Sequence, residues 1–433
     1  MINSIYSPSS ERYNNGMKFR RCGRSGILLP EISLGLWHNF GDVNTFANSQ
    51  AMVHYAFDQG ITHFDLANNY GPSYGSAEET FGMIIKKSFL PYRDELFIST
   101  KAGHEMWPGP YGEWGSRKYL MSSLEQSLKR MNLDYVDIFY SHRYDPDTPL
   151  EETLQTLVDI VRQGKALYVG ISKYPEEAAA FAYKYLEERD VHCLLYQGKY
   201  NMFNREPEED ILQQAQGNGT GFIAFSPLAQ GLLTNRYLNG IPEDSRMAKG
   251  TFLKREMLTE DILRKIKALN EIAGRRGQTL AEMALAWLLK DNLVTSVIIG
   301  ASSVVQLAYN LKALENTYSL FASVQLAERM LLLLVCGLVM VSCWFFAMGA
   351  NQLQTASDYD LRYRYLRMQG KATALDFAHL DSIFITHRNS KAIQQMQQKV
   401  IDYEQALQRQ VELLLQQDQI KQEQRKLKRH LKK

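Results

Sequence analysis

Short apolar runs alternate with longer amphipathic segments over much of this chain. The short runs are rich in Ile, Val, Leu, Phe and Tyr and have the length of strands buried on both faces; they span residues 32–36, 63–66, 96–100, 136–140, 166–171, 193–196, 222–225 and 296–299. Segments with the 3.6-residue period of helices include residues 76–87, 117–131, 150–162 and 280–289. Strands that alternate with helices predict an α/β fold built on a parallel sheet.

The number of strands favours a closed barrel. Eight parallel strands form a (β/α)8 TIM barrel, although the periodicity alone also allows an open, doubly wound sheet. Residues 19–31, with a turn at residues 22–26, predict an N-terminal β-hairpin that caps one end of the barrel. The connection 229–257 is too long for a simple strand-to-helix loop and is typical of a lid or binding loop.

Polar residues stand at the carboxyl ends of successive predicted strands. Asp65 lies within the second run, and the later runs are followed by Lys101, His142, Ser172, Gln197, Ser226 and Gly300. In a barrel of this kind the carboxyl ends converge on one face, where active sites are built. Chance could supply one or two such residues, but a series at consecutive units indicates a functional site.

The chain changes character after the predicted barrel, which we assign to residues 1–319. Beyond a junction at residues 320–329, residues 330–350 carry no charge, and a helix of that length spans about 31 Å, close to the hydrocarbon thickness of a bilayer. This segment therefore predicts a transmembrane helix. The alternative is a buried helix of the soluble fold, but so apolar a helix would lack a polar outer face.

Residues 351–433 form a Gln-rich, basic tail that predicts a helix. Its apolar residues keep heptad spacing for two repeats, which favours a partly coiled-coil segment: Ile393, Met396, Val400, Tyr403 and Leu407. Such a seam would join a coiled-coil partner or a second copy of the chain. The basic run at residues 421–433 is more typical of a solvated helix end than of a nucleic-acid-binding arm.

Composition and charge exclude several classes of protein. Hydrophobic residues at 45% and charged residues at 22% exclude wholesale disorder. The net charge of +2 divides into −4 for residues 1–350 and +6 for residues 351–433, which argues against nucleic acid as a ligand of the barrel. The four cysteines have neither disulfide-framework nor zinc spacing, so no metal site is expected, and the N-terminus lacks an apolar signal segment. These features predict a barrel in the reducing cytoplasm.

Asp65, Tyr70, Lys101 and His142 could together carry out carbonyl reduction. A phenol is a weak acid, and a neighbouring ammonium lowers its pKa by stabilising the phenolate. Asp65 could supply the counter-charge of that ammonium, and His142 could orient the incoming oxygen. The hydride requires a nicotinamide cofactor, since no side chain delivers one. Taken singly, each residue also has a structural interpretation, as part of a surface ion pair or as a strand-end histidine.

Segments spread over residues 12–319 resemble the aldo-keto reductase family. In chain order they are FDLANNYG, STKAG, FYSH, GIS, YQGKYN, FSPLAQGLL and IIGASSVVQLAYN. SLGLWHNFG, MWPGPYGEWGSRKYL and IPEDSRM are most similar to the bacterial L-glyceraldehyde 3-phosphate reductases, to which the voltage-gated potassium channel β-subunits are related. The resemblance implies a TIM barrel that binds a dinucleotide across its mouth without a Rossmann glycine motif, and the glycine-rich stretches 109–115 and 217–221 do not fit that motif.

The resemblance also assigns roles to individual residues. It implies a catalytic tetrad of Asp65, Tyr70, Lys101 and His142 in which Tyr70 donates the proton. It implies that NADPH is bound by a set of residues around the mouth: Ser172, Gln197, Phe225, Ser226, Leu228, Gly231, Arg236, Arg246, Gly300, Ser302, Gln306 and Asn310. The first two would hold the nicotinamide carboxamide, the phenylalanine would lie against the ring, and the two arginines would face the adenosine phosphates. Trp37, Trp107 and Arg117 would border the substrate pocket.

Three features depart from the family pattern. Tyr309 stands where a carboxylate usually accepts from the adenine amine, and Asn235 replaces a glycine that tolerates positive φ more freely. Both predict weaker cofactor binding. The match also fades near residue 319, where family members continue into a last helix and a tail over the substrate pocket. A natural membrane-tethered reductase and a fusion with a truncated barrel both remain open.

The implied function is the NADPH-dependent reduction of small aldehydes such as glyceraldehyde 3-phosphate or methylglyoxal. The alternative is a membrane-associated, nicotinamide-sensing regulatory or scaffold subunit, like a potassium channel β-subunit. His142 favours the enzyme, because the channel subunits carry Asn there, whereas residues 330–433 favour an assembly role. The need for cytoplasmic NADPH predicts that a single span through the inner membrane would leave the barrel in the cytoplasm.

Overall fold

The computed structural model describes residues 6–243, 245–250 and 253–316, which all belong to the first of the two units into which the chain divides, Met1–Ser323. Within these residues, no helix combines the length and the apolar character needed to cross a membrane. The predicted transmembrane helix at 330–350, the junction before it and the coiled-coil tail at 351–433 lie outside the described residues.

Eight parallel strands close into a barrel, as the alternation of apolar runs predicts. In barrel order they are β3 (Ile32–Gly35), β4 (His63–Asp65), β5 (Phe97–Ala102), β6 (Val136–Ser141), β7 (Ala166–Ser172), β8 (Cys193–Lys199), β9 (Gly221–Phe225) and β10 (Ser296–Ile299). β10 pairs with both β3 and β9, and this pairing closes the cylinder. The open-sheet alternative is therefore excluded.

Helices follow the strands and cover the outside of the barrel. They are α1 (Phe46–Asp58), α2 (Ser76–Ile84), α3 (Arg117–Met131), α4 (Leu150–Arg162), α5 (Glu176–Glu187), α6 (Ile211–Gly217), α7 (Arg246–Lys249), α8 (Glu260–Arg275), α9 (Leu280–Leu288) and α10 (Val304–Leu311). Several begin at a side-chain cap, and Thr279 with Glu282 forms a complete capping box at α9. The apolar faces of these helices and the outward side chains of the strands form the main core.

The N-terminal hairpin closes the amino end of the barrel. Its strands, β1 (Phe19–Arg21) and β2 (Leu28–Pro30), are antiparallel. The amide of Arg24 donates to the carbonyl of Gly219, just before β9 begins, and Cys22 packs among residues of the barrel interior. The predicted cap is thus confirmed, and it leaves the carboxyl ends of the strands as the open face.

In the described residues of the long connection after β9, the helical segments before α8 are all short. They are Ala229–Gly231, Asn235–Tyr237, α7 and Arg255–Met257. Tyr237, Met247 and Leu253 pack with α8 and α9 in a small apolar cluster separate from the main core. The connection is therefore held to the helical layer by its own buried residues, consistent with the loop predicted at residues 229–257.

Alternation along each strand decides which side chains enter the barrel. In β5, Phe97 packs in the interior cluster, while Thr100 points outward and donates from Oγ1 to Glu78 of α2 at 2.5 Å. Lys101 lies an even number of residues from Phe97 and therefore points inward. The same period brings His63 and Asp65 of β4 inside, next to β5, with Asp65 paired to Ser99.

Candidate active site

Lys101 is a fully buried ammonium held by two oxygens, one from the end of β4 and one from the residue after it. Its Nζ donates to Asp65 Oδ2 at 2.7 Å and to the backbone carbonyl of Leu66 at 2.6 Å. Burial lowers the pKa of Lys101, and the carboxylate of Asp65 opposes that shift. The ion pair therefore favours a charged Lys101 at a place that excludes water.

Tyr70 lies in the loop after β4, with its phenol directed at that ammonium. Lys101 Nζ donates to Tyr70 Oη at 3.3 Å, and the nitrogen lies 4.8 Å from the ring centre. Burial, together with the charge of Asp65, raises the pKa of Tyr70 well above 10. The net shift of the Tyr70 pKa is therefore opposite to the lowering expected from Lys101, because desolvation of the phenolate dominates. Tyr70 is neutral and carries a proton that it can donate.

His142 completes the group from the end of β6. Its backbone amide donates to the carbonyl of Ala102 at 2.9 Å, and its ring centre lies 6.0 Å from that of Tyr70. Burial and the nearby cations lower the pKa of His142 well below 6.5, so its imidazole is neutral. Its Nδ1 has no hydrogen-bond partner among the described residues. The four predicted residues thus lie together at the open face.

A chain of buried hydrogen bonds supports Asp65 from inside the barrel. His63 bonds Ser33 through Nδ1 at 2.8 Å and Ser99 through Nε2 at 3.2 Å, and Ser99 Oγ donates to Asp65 Oδ1 at 2.8 Å. Ser33 in turn contacts Ser296 of β10 at 2.6 Å. Sequence reasoning missed this network. The available signal was the two-residue spacing of His63 from Asp65 and of Ser99 from Lys101, which places each pair on the inner face of one strand.

The residues predicted to hold the nicotinamide lie at the ends of β7, β8 and β9. Ser172 is fully buried, and its hydroxyl has no hydrogen-bond partner among the described residues. Gln197 instead donates from Nε2 to Asp65 Oδ1 at 3.0 Å, so it belongs to the network around the carboxylate. Phe225 is half-buried and lies 5.5 Å from the ammonium of Lys173.

The predicted pyrophosphate segment forms a tight turn. Ser226 has φ 54° and Gly231 has φ 103°, and the intervening Ala229 and Gln230 are also left-handed. Asn201 fixes this turn by donating from Nδ2 to the carbonyl of Ser226 at 2.9 Å. Leu228 is half-buried and its carbonyl accepts from the amide of Gly231 at 2.8 Å. The amide of Ala229 likewise donates to the carbonyl of Ser226 at 3.0 Å, so backbone hydrogen bonds within the turn close it.

The next predicted residues lie in the long connection. Arg236 is exposed and follows Thr234, whose hydroxyl accepts from the Arg236 amide at 3.2 Å. Arg246 is the first residue of α7. Asn235 begins a short helical turn and is not among the positive-φ residues. The predicted loss of cofactor affinity from replacing glycine at this position therefore has no basis in the backbone.

The segment after β10 carries the remaining predicted cofactor residues. Gly300 and Ser302 are exposed, and Gln306 Oε1 accepts from the amide and the hydroxyl of Ser302 at 2.8 and 2.9 Å. Asn310 is buried, and its Nδ2 has no partner within the described part of the chain. Tyr309 is exposed, with the ammonium of Lys312 5.0 Å from its ring centre.

The three predicted substrate-pocket residues contact different parts of the barrel's open face and helices. Trp37 lines a small cavity that also includes Gly300, which joins the ends of β3 and β10. Trp107 packs against Tyr119, the first-turn aromatic of α3. The structure does not bring Arg117 to this group, because its guanidinium ion-pairs with Asp159 of α4. Arg117 is exposed at the start of α3, near the carboxylates of Glu152 and Asp159. Sequence spacing does not predict which carboxylate pairs with the guanidinium.

The comparisons with known proteins agree with this geometry. The sequence profile of the aldo/keto reductase family matches residues 31–321. The chain belongs to the aldo/keto reductase family. It is 55% identical to the L-glyceraldehyde 3-phosphate reductase of Escherichia coli (strain K12) over 329 residues, which cover 75% of this chain and 94% of that protein. It is 36% identical to a probable voltage-gated potassium channel β-subunit of Arabidopsis thaliana over 307 residues, 69% of this chain and 92% of that protein.

Membership of this family makes the chain an oxidoreductase of a class that uses nicotinamide cofactors. The resemblance predicted for residues 12–319 is confirmed, as is its closer likeness to the glyceraldehyde 3-phosphate reductases than to the channel β-subunits. The matched residues 31–321 contain the four groups around Lys101 and every residue of the predicted cofactor set.

Proposed function

We propose that this aldo/keto reductase reduces small aldehydes to alcohols with NADPH, and that Tyr70 donates the proton. The observation that carries the proposal is the position of the Lys101 ammonium, between the carboxylate of Asp65 and the phenol of Tyr70. The relatives described as L-glyceraldehyde 3-phosphate reductases support an aldehyde of three carbons, with methylglyoxal as an uncharged substrate of similar size.

Each of the four residues has a defined task in this proposal. Tyr70 is neutral and supplies a proton to the oxygen of the carbonyl as negative charge develops there. Lys101 then stabilises the tyrosinate left behind, since an ammonium 3.3 Å away favours the anion. Asp65 keeps Lys101 charged and in place, and the neutral imidazole of His142 hydrogen-bonds the same substrate oxygen.

The cofactor residues fit a nicotinamide dinucleotide. Ser172 Oγ and Asn310 Nδ2 are buried polar atoms that lack partners within the described residues, and such atoms are normally satisfied by a ligand or water. The left-handed turn between Ser226 and Gly231 directly follows β9, and its residues would lie along the pyrophosphate. Bound NADPH would supply the hydride, while Ser172 would orient its carboxamide and Phe225 would pack against its ring.

Tyr70→Phe tests the proposal directly. The variant keeps the ring that packs beside Lys101 but removes the donated proton, so the kcat of aldehyde reduction should fall by about 10²- to 10⁴-fold. NADPH binding, followed by quenching of tryptophan fluorescence, should remain near that of the parent. Tyr13→Phe is the matched control, because it removes an exposed phenol that bonds Glu95 and leaves Lys101 untouched.

The outcomes separate the proposal from its rival. Wild-type turnover in Tyr70→Phe would refute the proton-donor assignment. A parent protein that binds NADPH but oxidises it with neither glyceraldehyde 3-phosphate nor methylglyoxal would support a regulatory subunit of the channel β-subunit type. Robust turnover in the parent and its loss only in Tyr70→Phe support the reductase.

A further inference from the structure

Lys173 is a cation at the rim of the active site that the proposed chemistry does not use. It follows Ser172 at the end of β7 and has φ 56°, a left-handed conformation that is uncommon for lysine. The residue is partly exposed, and its Nζ lies 3.3 Å from His104 Nε2 and 5.5 Å from the ring centre of Phe225. The ammonium is therefore directed across the mouth of the barrel.

This cation has no carboxylate partner in the described part of the chain. The nearby cations are already paired, Lys101 with Asp65 at 2.7 Å and Arg143 with Glu113 at 2.7 Å. Partial burial, followed by repulsion from those two cations, lowers the pKa of Lys173 to about 8, so it is mostly charged at neutral pH. An ammonium held among other cations in a partly dry site is best compensated by an anionic ligand.

His104 connects Lys173 to the reacting group. Its ring meets the ring of His142 edge-on, with centres 4.5 Å apart. Burial and the surrounding cations lower the pKa of His104 to about 4, so its imidazole is neutral and its Nε2 can accept from the ammonium. Because an ammonium has three N–H groups, Lys173 keeps further donors for a ligand while His104 holds it in place.

We propose that Lys173, positioned by His104, binds the terminal phosphate of a short phosphorylated aldehyde whose carbonyl oxygen lies at Tyr70 and His142. This inference rests on the proposed reductase function and adds the residue that would select, among three-carbon aldehydes, those with an anionic group at the far end. The imidazole of His104 lies between the phosphate subsite at Lys173 and the carbonyl subsite at His142. The separation of the two subsites therefore suits a substrate with a short carbon chain. Uncharged aldehydes of the same length lack the contact with Lys173.

Lys173→Met tests this subsite, because methionine keeps much of the length but removes the charge. The ratio of kcat/KM for glyceraldehyde 3-phosphate to kcat/KM for glyceraldehyde should fall by about 10- to 100-fold, the range for one hydrogen bond to a charged group. The lower ratio should come from a higher KM for glyceraldehyde 3-phosphate. Lys173→Arg, which keeps the charge, should restore part of the ratio. Lys184→Met, at an exposed lysine of α5, is the matched control and should leave the ratio unchanged.

A second measurement keeps the two proposals separate. Inorganic phosphate is titrated against the parent and Lys173→Met, with the melting temperature as readout, which needs no turnover. Stabilisation of the parent that is weakened in Lys173→Met supports the phosphate subsite even when no aldehyde is reduced. Equal stabilisation of both proteins, or an unchanged kcat/KM ratio in an active enzyme, overturns the subsite and leaves the reductase proposal standing.

Discussion

The inward-facing residues of neighbouring strands explain why so few positions control this site. Asp65 and Ser99 pair across β4 and β5 and share a hydrogen bond, and Lys101 of β5 donates to the same carboxylate, so polar groups lie side by side in the barrel interior. Each is isolated from solvent and must find its partner among its neighbours. A change at one inner position therefore reaches the reacting groups through hydrogen bonds already made.

Sequence reasoning predicts the four residues that the structure brings together, but not those that support them. Asp65, Lys101 and His142 were recognisable because polar residues at the carboxyl ends of strands converge in a barrel, and family motifs surround them. The roles of His63 and Ser99 depend on the register between β4 and β5, which local patterns do not determine. The net pKa shift of Tyr70 does not follow from the sequence either, because it depends on how far the fold desolvates the phenol.

His63 should make the protein less stable in mild acid. Burial lowers its pKa to about 4, whereas the imidazole of an unfolded chain takes up a proton near 6.5. Between these values the unfolded state binds more protons, so the free energy of unfolding falls as the pH falls, by about 3 kcal/mol for this one group. His63→Gln should remove that part of the pH dependence, measured by urea denaturation between pH 7 and pH 4.

The same variant should also show what His63 does at neutral pH. Loss of the fitted imidazole leaves the hydroxyls of Ser33 and Ser99 poorly paired, which destabilises the fold by about 1–3 kcal/mol at pH 7. A pH dependence identical to that of the parent would contradict the neutral, buried state assigned to His63.

At the scale of elements, strands were easier to predict than helix ends. The apolar runs matched the strands closely, but the helix predicted at 76–87 ends as α2 at Ile84 and continues into a wider turn, Ile85–Phe89. Pro91 follows in the next short helical segment, Leu90–Glu95, and has no backbone N–H to continue the α-helical hydrogen bonds. The wider turn still buries Phe89, so the core contact is kept while the regular period ends.

Close packing of α2 against α3 depends on a glycine. A Cβ placed on Gly82 would lie 2.3 Å from the carbonyl oxygen of Arg130, a contact that backbone cannot relieve without moving α3. Gly82→Ala should therefore destabilise the fold by about 1–3 kcal/mol despite alanine's higher helix propensity. Gly274→Ala in α8 is the matched control, because a Cβ there meets nothing within 4 Å.

The control variant, Gly274→Ala, should instead raise the free energy of unfolding by up to about 1 kcal/mol, since alanine has a higher helix propensity and its Cβ meets no clash. Urea denaturation of both variants measures the difference. A Gly82→Ala protein as stable as the parent would show that α2 and α3 separate easily.

At the scale of the whole molecule, the repeated strand–helix pattern predicts a closed barrel, but it does not show which strands pair to close the barrel. The barrel closes where β10, its last strand, pairs with β3, its first, and we call this pairing the seam. Residues far apart in the chain must therefore meet there. Neither composition nor local period specifies such contacts. The predicted membrane helix and coiled coil beyond residue 316 stay predictions.

A buried ion pair joins the hairpin to this seam. Arg20 of β1 pairs with Glu31 at 2.8 Å and also donates to the carbonyls of Leu289 and Val294, which flank the approach to β10. The carbonyl of Glu31 accepts from the amide of Val297 in β10 at 2.9 Å. One guanidinium thus fixes the hairpin, the end of α9 and the start of β10 around the amino end of the barrel.

Arg20→Met should open this end of the molecule. It removes the cation beside a carboxylate that is only 1% exposed, so the expected loss of stability is about 3–5 kcal/mol. Arg264→Met, which breaks an exposed pair with Asp261 on α8, should cost at most about 1 kcal/mol. Hydrogen exchange of the β10 amides should quicken in the first variant alone. Equal losses in both would show that the barrel closes without help from the hairpin, through strand pairing and core packing.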